Sequence, residues 1–232
     1  MKVIRNLALV TGLLALSSVA QAQFSSTWTA VSDYDFRGFS QSAKDPALQG
    51  SADFAFGESG FAIGAWASTV DFDLDEDAEL DLYAGYTGSI NDSFSWNAGA
   101  VWYDYPLGDD LDGYAEVYAG FAAGNFAFKQ WYSDDFYALG DSALYSEINY
   151  TQPIGEKFSL VFHAGYSYGD YWDDLGELVD YAVQGNYSAG NFTLFAKFTG
   201  TDASGSEKVE ADVLNNEPRF LVGVMTTLPW GE

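Results

Sequence analysis

The sequence predicts an all-β fold: a transmembrane, antiparallel, up-and-down β-barrel of about 12 strands with short periplasmic turns and long acidic extracellular loops. After residue 23, aromatic-rich segments of about ten residues alternate apolar with polar side chains, as barrel strands do. The breaks between them are alternately short and long. A membrane barrel has this asymmetry, whereas a soluble β-sandwich, the alternative, does not need it. The short breaks are residues 57–60, 90–93, 123–125, 153–156 and 189–191.

The first 22 residues are typical of a secretory signal peptide. Two basic residues precede an apolar run from Leu7 to Leu16, and the small residues at 20–22 form a cleavage site. The run is shorter than the roughly 20 apolar residues of a membrane-spanning helix. We therefore expect residues 1–22 to be cleaved and residues 23–232 to form one outer-membrane barrel domain.

Twelve strands are predicted. Each begins after residues typical of a turn, and its side chains alternate between the two faces of the sheet. In the fourth, Leu80 and Leu82 face lipid while Asp81 and Tyr83 face the lumen. A lipid-facing Lys or Arg at the midplane costs about 2 to 4 kcal/mol, so charged positions set the inward face. An even number of strands brings both termini to the periplasmic side. In order, the strands are residues 27–39, 47–56, 61–70, 79–89, 94–104, 113–122, 126–133, 142–152, 158–168, 179–188, 192–200 and 218–229.

The seventh predicted strand is ambiguous. Placing Lys129 in the lumen leaves Gln130 facing lipid, unless a bulge shifts the register. The inward positions of all strands define the predicted pore lining. The charged side chains of this lining have two possible roles. They either form ion-pair ladders across a small barrel, or their excess of carboxylates lines a passage that favours cations. They are Asp33, Asp35, Arg37, Asp53, Asp81, Glu116, Lys129, Glu147, His163, Asp180, Lys197 and Arg219.

Composition excludes several functions. The chain has no cysteine, so it has no disulfide, thiolate metal site or cysteine nucleophile. It has 34 acidic residues against 9 Lys and Arg, a net charge of −25, so we expect no nucleic-acid partner. The single histidine, His163, has no Ser or Asp tied to it by spacing, and common catalytic motifs are absent. We therefore expect no enzyme activity, catalytic residue or cofactor.

The long connections are acidic. This charge either forms a solvated, self-repelling surface or builds a vestibule that concentrates cations. Alternating carboxylates after Val70 also suit Ca²⁺, but they lack the glycine and glutamate of an EF-hand loop, so no metal site is assigned. The predicted vestibule acids are Asp71, Asp73, Asp75, Glu76 and Asp77.

One stretch carries a family resemblance. Residues 32–42, SDYDFRGFSQS, followed by DPALQG at 45–50 and GFAIGAWAS at 60–68, resemble the N-terminal signature of the TorF family of porins, also known as the Gcw_chp family of proteobacterial outer-membrane proteins. YAGY at 83–86 and EVYAG at 116–120 are also similar. The resemblance implies an outer-membrane barrel with channel activity. We expect the partners of this barrel to be outer-membrane lipid and lipopolysaccharide, the barrel-assembly machinery and small solutes.

The sequence thus predicts a channel for the passive diffusion of small, preferably cationic or neutral solutes. Twelve strands lie between small filled barrels and open porins, so the bore should be narrow. The alternative is a non-conducting structural or surface-binding barrel, whose acidic loops are bridged to lipopolysaccharide by divalent cations.

Overall fold

The computed structural model describes residues 23–74, 77–108, 111–173 and 175–230. The predicted signal peptide, residues 1–22, lies outside these ranges. Twelve strands form a closed antiparallel barrel, and a two-stranded hairpin, β2–β3, lies apart from it. Among the described residues, no helix is long and apolar enough to cross a membrane. The barrel strands are β1 Gln23–Val31, β4 Ala47–Ala55, β5 Phe61–Thr69, β6 Ala78–Asn91, β7 Phe94–Asp104, β8 Tyr114–Ala123, β9 Phe126–Ser133, β10 Ala143–Ile154, β11 Phe158–Tyr168, β12 Leu178–Ala189, β13 Phe192–Thr201 and β14 Arg219–Leu228; the hairpin is β2 Asp35–Phe36 and β3 Phe39–Ser40.

Each barrel strand pairs with its neighbour in the chain, and β1 closes the ring against β14. The closing register runs from Ser26 opposite Leu228 to Val31 opposite Gly223. Closure satisfies every strand edge, which a sheet in hydrocarbon requires because no water is present there to bond free amides. The predicted twelve-stranded, antiparallel barrel is confirmed.

The short turns lie at the end of the barrel that holds both termini. Two of them, 124–125 and 190–191, have the sequence Gly-Asn between directly paired strand ends. Gly124 and Gly190 have φ angles of +60° and +65°. A two-residue hairpin with glycine at its first central position needs this left-handed backbone. The long connections therefore gather at the opposite end, called the loop end here.

The barrel has an apolar outer face and a polar inner face. Leu82, Val117 and Phe220 are exposed on the outside, whereas Glu116 and Gln184 are buried on the inside. Gln130 faces outward from a strand without a bulge. Its side chain accepts a hydrogen bond from Ser146 Oγ at 2.6 Å and donates to the carbonyl oxygen of Trp131 at 2.9 Å. Both the oxygen and the nitrogen of the Gln130 side-chain amide thus have hydrogen-bond partners within the barrel wall.

The first strand differs from its predicted range. We predicted a strand over residues 27–39, but β1 ends at Val31 and residues 32–46 turn into the barrel interior. This inner segment carries the β2–β3 hairpin, whose turn has left-handed φ angles at Arg37 (+49°) and Gly38 (+86°). The polar alternation of residues 33–37 resembles a strand, but charged partners across the lumen draw these residues inward.

Candidate functional site

The lumen is crossed by the inner segment, residues 32–46. Gly38 lies so close to the wall that a Cβ there would be 2.5 Å from Thr201 Cγ2 and 2.9 Å from Asp180 Cβ. Ser40, Gln41 and other side chains of the segment are almost fully buried. The segment therefore packs inside the barrel instead of extending into solvent.

Two basic side chains of the wall hold one side of the inner segment. Arg219, on β14, pairs with Asp33 through Nε at 2.6 Å, also pairs with Asp35, and donates to the Gly38 carbonyl oxygen at 2.6 Å. Lys197, on β13, pairs with Asp35 at 2.6 Å. Burial disfavours the Asp35 carboxylate, but Lys197 and Arg219 outweigh it and lower its pKa below the ordinary value. Asp35 thus stays ionised at neutral pH.

An acidic side chain holds the other side of the segment. Arg37 makes a bidentate pair with Glu116 on β8, with N–O distances of 3.0 and 2.6 Å. Tyr103 also donates to Glu116 at 3.0 Å, and the Arg37 guanidinium lies 4.3 Å from the Tyr145 ring centroid. Burial opposes the charge, but Glu116 raises the pKa of Arg37 above its ordinary value.

These two anchors lie on opposite walls. In the closed order of strands, β8 is five strands from β13 and six from β14, about half of the ring. The inner segment therefore bridges the lumen across its diameter and divides the cross-section of any passage. The predicted residues Asp33, Asp35 and Arg37 do lie in the lumen, but on this segment; predicting them as inward positions of a strand was wrong.

A second polar network lies on the wall formed by β9 to β12. His163 Nε2 is 2.8 Å from Asp180 Oδ1, and its Nδ1 is 2.9 Å from Asn149 Oδ1. Glu147 accepts a hydrogen bond from the Trp131 indole at 2.9 Å. The His163 ring is thus held by a carboxylate and an amide that belong to neighbouring strands, so it is part of a structural network in the wall.

Lys129 belongs to the same wall. Its ammonium lies 4.7 and 4.8 Å from the ring centroids of Tyr118 and Trp131, positions that favour cation–π attraction. The alternation within β9 places Lys129 inward, as predicted, with Gln130 on the lipid side.

The remaining lumen carboxylates lie on β4 and β6. Asp53 accepts hydrogen bonds from Tyr83 and from Ser51 Oγ, the latter at 2.7 Å. Asp81 and Glu79 are consecutive inward positions of β6 and are 9% and 3% exposed. Glu79 is absent from the predicted pore lining. Its spacing of two residues from Asp81 is the signal that identifies it.

Aromatic side chains fill the lumen near the loop end. Tyr103 and Tyr114 stack with centroids 4.7 Å apart, and Tyr114 meets Phe136 edge-on at 5.3 Å. Phe136, in the short 3-10 helix Phe136–Ala138, is 1% exposed, and Trp172, in the short α-helix Asp170–Asp173, joins the same cluster. Phe136 and Trp172 are absent from the predicted site because they belong to the connections between strands, where no alternation shows which way a side chain points.

Three predicted vestibule acids, Asp71, Asp73 and Asp77, are exposed at the loop end, whereas Asp75 and Glu76 lie outside the described residues. The backbone amide of Asp71 donates to the Gln41 carbonyl oxygen at 2.9 Å, so this loop rests on the inner segment. Within the described ranges, no three acidic or His side chains are grouped to hold a metal ion.

Comparisons with known proteins agree with this architecture. A protein family described as "Bacterial protein of unknown function (Gcw_chp)" matches residues 17–227. The chain belongs to the Gcw_chp family. The family predicted from residues 32–42 is thereby confirmed, whereas the name TorF stays a prediction. No curated protein matches the sequence.

Two solved structures are similar in fold. A structure titled "KdgM porin" has a TM-score of 0.56 at 12% identity, covering 87% of this chain and 98% of that one. A structure titled "NanC porin structure in rhombohedral crystal form" has a TM-score of 0.54 at 11% identity, covering 88% and 98%. At these identities the likeness establishes the fold: the Gcw_chp chain has a porin-type barrel.

Proposed function

We propose that the protein is an outer-membrane channel for the passive diffusion of small solutes, with a preference for cationic or neutral ones. The observation that carries the proposal is the polarity of the two barrel faces. The outside exposes Leu82, Phe162 and Phe198, while the inside buries Glu116, Glu147 and other polar groups. A soluble barrel has the opposite arrangement, whereas a membrane channel needs this one.

The distribution of lumen charge supports the preference for cations. The basic groups Arg37, Lys197 and Arg219 are engaged in ion pairs with carboxylates. Asp53 and Asp81 have no such partner among the described residues. Carboxyl groups without a basic partner therefore lie on the β4–β6 side, where their ionised form would attract cations and repel anions. The proposed channel requires no catalytic residue and no cofactor.

The partners of such a channel are outer-membrane lipid, lipopolysaccharide, the barrel-assembly machinery and the solutes themselves. The apolar outer face is suited to lipid. The exposed acids Asp71, Asp73 and Asp77 at the loop end suit divalent cations that bridge to lipopolysaccharide phosphates.

One observation favours a second candidate, a non-conducting structural barrel. The aromatic cluster around Phe136 and the inner segment together fill the loop end of the lumen. If this packing is permanent, the barrel is a surface element whose acidic loops bind lipopolysaccharide through divalent cations.

Single-channel recording of the purified, refolded chain in a planar bilayer tests the two candidates. We expect small, cation-selective current steps, with the reversal potential in a KCl gradient shifted toward the potassium potential. Arg219→Gln, which frees Asp33 from the wall and leaves Lys197 as the only basic partner of Asp35 among the described residues, should raise the conductance. A silent wild type with a conducting Arg219→Gln variant would identify a closed channel. If both are silent, the structural barrel is the better description.

A further inference from the structure

The carboxyl groups of Glu79 and Asp81 form an acidic pair on the inner face of β6. Their positions alternate with outward Leu80, so both side chains point into the lumen from successive inward sites. They lie within hydrogen-bonding reach of each other. Both are at least nine-tenths buried. Two carboxyl groups are thus held together away from bulk water.

No basic side chain compensates this pair. Arg37 is engaged by Glu116, Lys197 by Asp35, and Arg219 by Asp33 and Asp35. In the described part of the chain, neither Glu79 nor Asp81 is in an ion pair with a Lys, Arg or His. The pair is therefore unlike every other buried carboxylate that the inner segment contacts.

The hydrogen bonds of the pair are also incomplete. Tyr34, from the inner segment, donates to Glu79 Oε1 at a long 3.4 Å. Asp81 Oδ1 is buried and has no hydrogen-bond partner. An ionised carboxylate oxygen can only accept, so the two carboxyl groups can hydrogen-bond to each other only while they share a proton. Leaving such an oxygen buried and unpaired is costly, and a positive ion between the two groups removes the cost.

We propose that Glu79 and Asp81 bind a divalent cation, of which Ca²⁺ fits best, where the inner segment meets β6. Ca²⁺ takes oxygen ligands in flexible geometry, and carboxylates bind it through one or two oxygens. Mg²⁺ fits less well because it demands a regular octahedron and keeps several waters, which this buried position does not favour. One divalent ion neutralises the two carboxylates.

The site has a consequence for conduction that rests on the proposed function. A bound Ca²⁺ removes the unpaired negative charge of β6 and occupies the passage beside the inner segment. Millimolar Ca²⁺ should then reduce the potassium current and the cation selectivity of the wild type. The binding itself does not depend on whether the barrel conducts.

Terbium luminescence of the refolded full chain tests the binding. Tb³⁺ shares the oxygen chemistry of Ca²⁺ and emits when a nearby aromatic ring absorbs light. Trp66, opposite Asp81 in the strand register, packs on Tyr34 with centroids 5.4 Å apart, so sensitising rings lie beside the pair. We expect a saturable Tb³⁺ signal in the wild type that Ca²⁺ displaces.

Two double variants show which residues bind the Tb³⁺ ion that gives the luminescence. In Glu79→Gln/Asp81→Asn the apparent affinity should fall at least about tenfold, because ligand charge sets Ca²⁺ affinity. Glu58→Gln/Asp92→Asn removes the same charge from exposed turns at the opposite end of the barrel and should keep the wild-type signal. A gel assay of heat-modifiable migration checks that each variant folds, and the single variants Glu79→Gln and Asp81→Asn replace the double one if it does not.

Each outcome decides the proposal. Loss of the site only in the β6 variant supports it. Equal, weak binding in all three proteins means that a shared proton holds the pair and overturns the proposal, as does loss only in the Glu58→Gln/Asp92→Asn variant. If the wild type and Arg219→Gln are both silent in bilayer recordings, the proposed function is wrong and the binding result still stands.

Discussion

At the scale of single residues, Arg37 has the strongest set of contacts in the lumen. It has a left-handed φ of +49°, a conformation that is unfavourable for a side chain of its size. The bidentate pair with Glu116 and the ring of Tyr145 offset that strain. The charge of Arg37 is thus used to hold the segment, and Glu116 depends on it as its cationic partner.

Replacing Arg37 tests this dependence. Arg37→Ala leaves the Glu116 carboxylate buried without a counter-charge, which should cost about 3 to 5 kcal/mol of stability. The temperature at which the folded band disappears in a heat-modifiability gel should therefore fall. Arg37→Ala/Glu116→Gln removes both charges and should recover part of the loss. If the double variant is as unstable as the single one, the unpaired charge is not the cause.

At the scale of elements, the inner segment is held by ion pairs to two opposite walls of the barrel. Arg219 and Lys197 hold Asp33 and Asp35 near its start, and Arg37 reaches the opposite wall at Glu116. The backbone of its hairpin must pass close to Thr201, which only a residue without Cβ can do. The position of the inner segment therefore depends on close packing as well as on ion pairs.

A matched pair of glycine substitutions separates packing from backbone strain. Gly38 and Gly140 have φ angles of +86° and +93°, so alanine at either position carries a similar strain of about 1 kcal/mol. Only at Gly38 does the new Cβ meet neighbours; nothing lies within 4 Å at Gly140. We expect Gly38→Ala to unseat the inner segment and expose the Arg37 peptide bond to trypsin. Mass spectrometry of the fragments detects this cut.

Gly140→Ala is the control for the effect of backbone strain in Gly38→Ala. Gly140→Ala should leave the chain after Arg37 as resistant to trypsin as in the wild type. If both variants are cut equally, strain in the loops and not the contact with Thr201 controls the segment. If neither is cut, the ion pairs alone are enough to hold it.

At the scale of the whole molecule, the barrel has two different ends. The tight Gly-Asn turn at 124–125 and both terminal strand ends lie at one end, and the acidic connections lie at the other. An epitope placed at 73–77 or 203–208 should therefore be reachable by antibody on intact cells. One placed at 123–125 should be reached only after the outer membrane is permeabilised. The reverse accessibility would contradict the orientation.

The loop charge gives a second test at this scale. Neutralising Asp71, Asp73, Asp75, Glu76 and Asp77 to Asn or Gln should lower the cation-to-anion permeability ratio at low salt. The Debye length is about 30 Å at 0.01 M and about 3 Å at 1 M, so these loop charges reach the passage only in dilute electrolyte. Recordings at 1 M KCl are the internal control, in which variant and wild type should agree. Unchanged selectivity at 0.01 M would show that these acids form a solvated surface and do not influence ion permeation.

The sequence by itself determined the barrel. Whether a strand residue faces lipid or lumen depends on its position along an alternating pattern, which is local information. For this reason Asp81, Lys197 and Arg219 were placed inward correctly, and the short turns marked the strand ends to within a few residues for eleven of the twelve strands. The Gcw_chp signature at residues 32–42 identified the family for the same reason: it is a contiguous pattern.

Only the tertiary structure decided what fills the barrel. The contacts that draw the inner segment inward join residues far apart in the chain: 186 positions separate Asp33 from Arg219, and 79 separate Arg37 from Glu116. Residues 33–37 alternate as a strand does, so no local signal distinguishes a wall strand from a segment folded across the lumen. The pair of Glu79 and Asp81 is hidden in the same way, because only the folded lumen shows which carboxyl groups lie beyond the reach of a basic side chain.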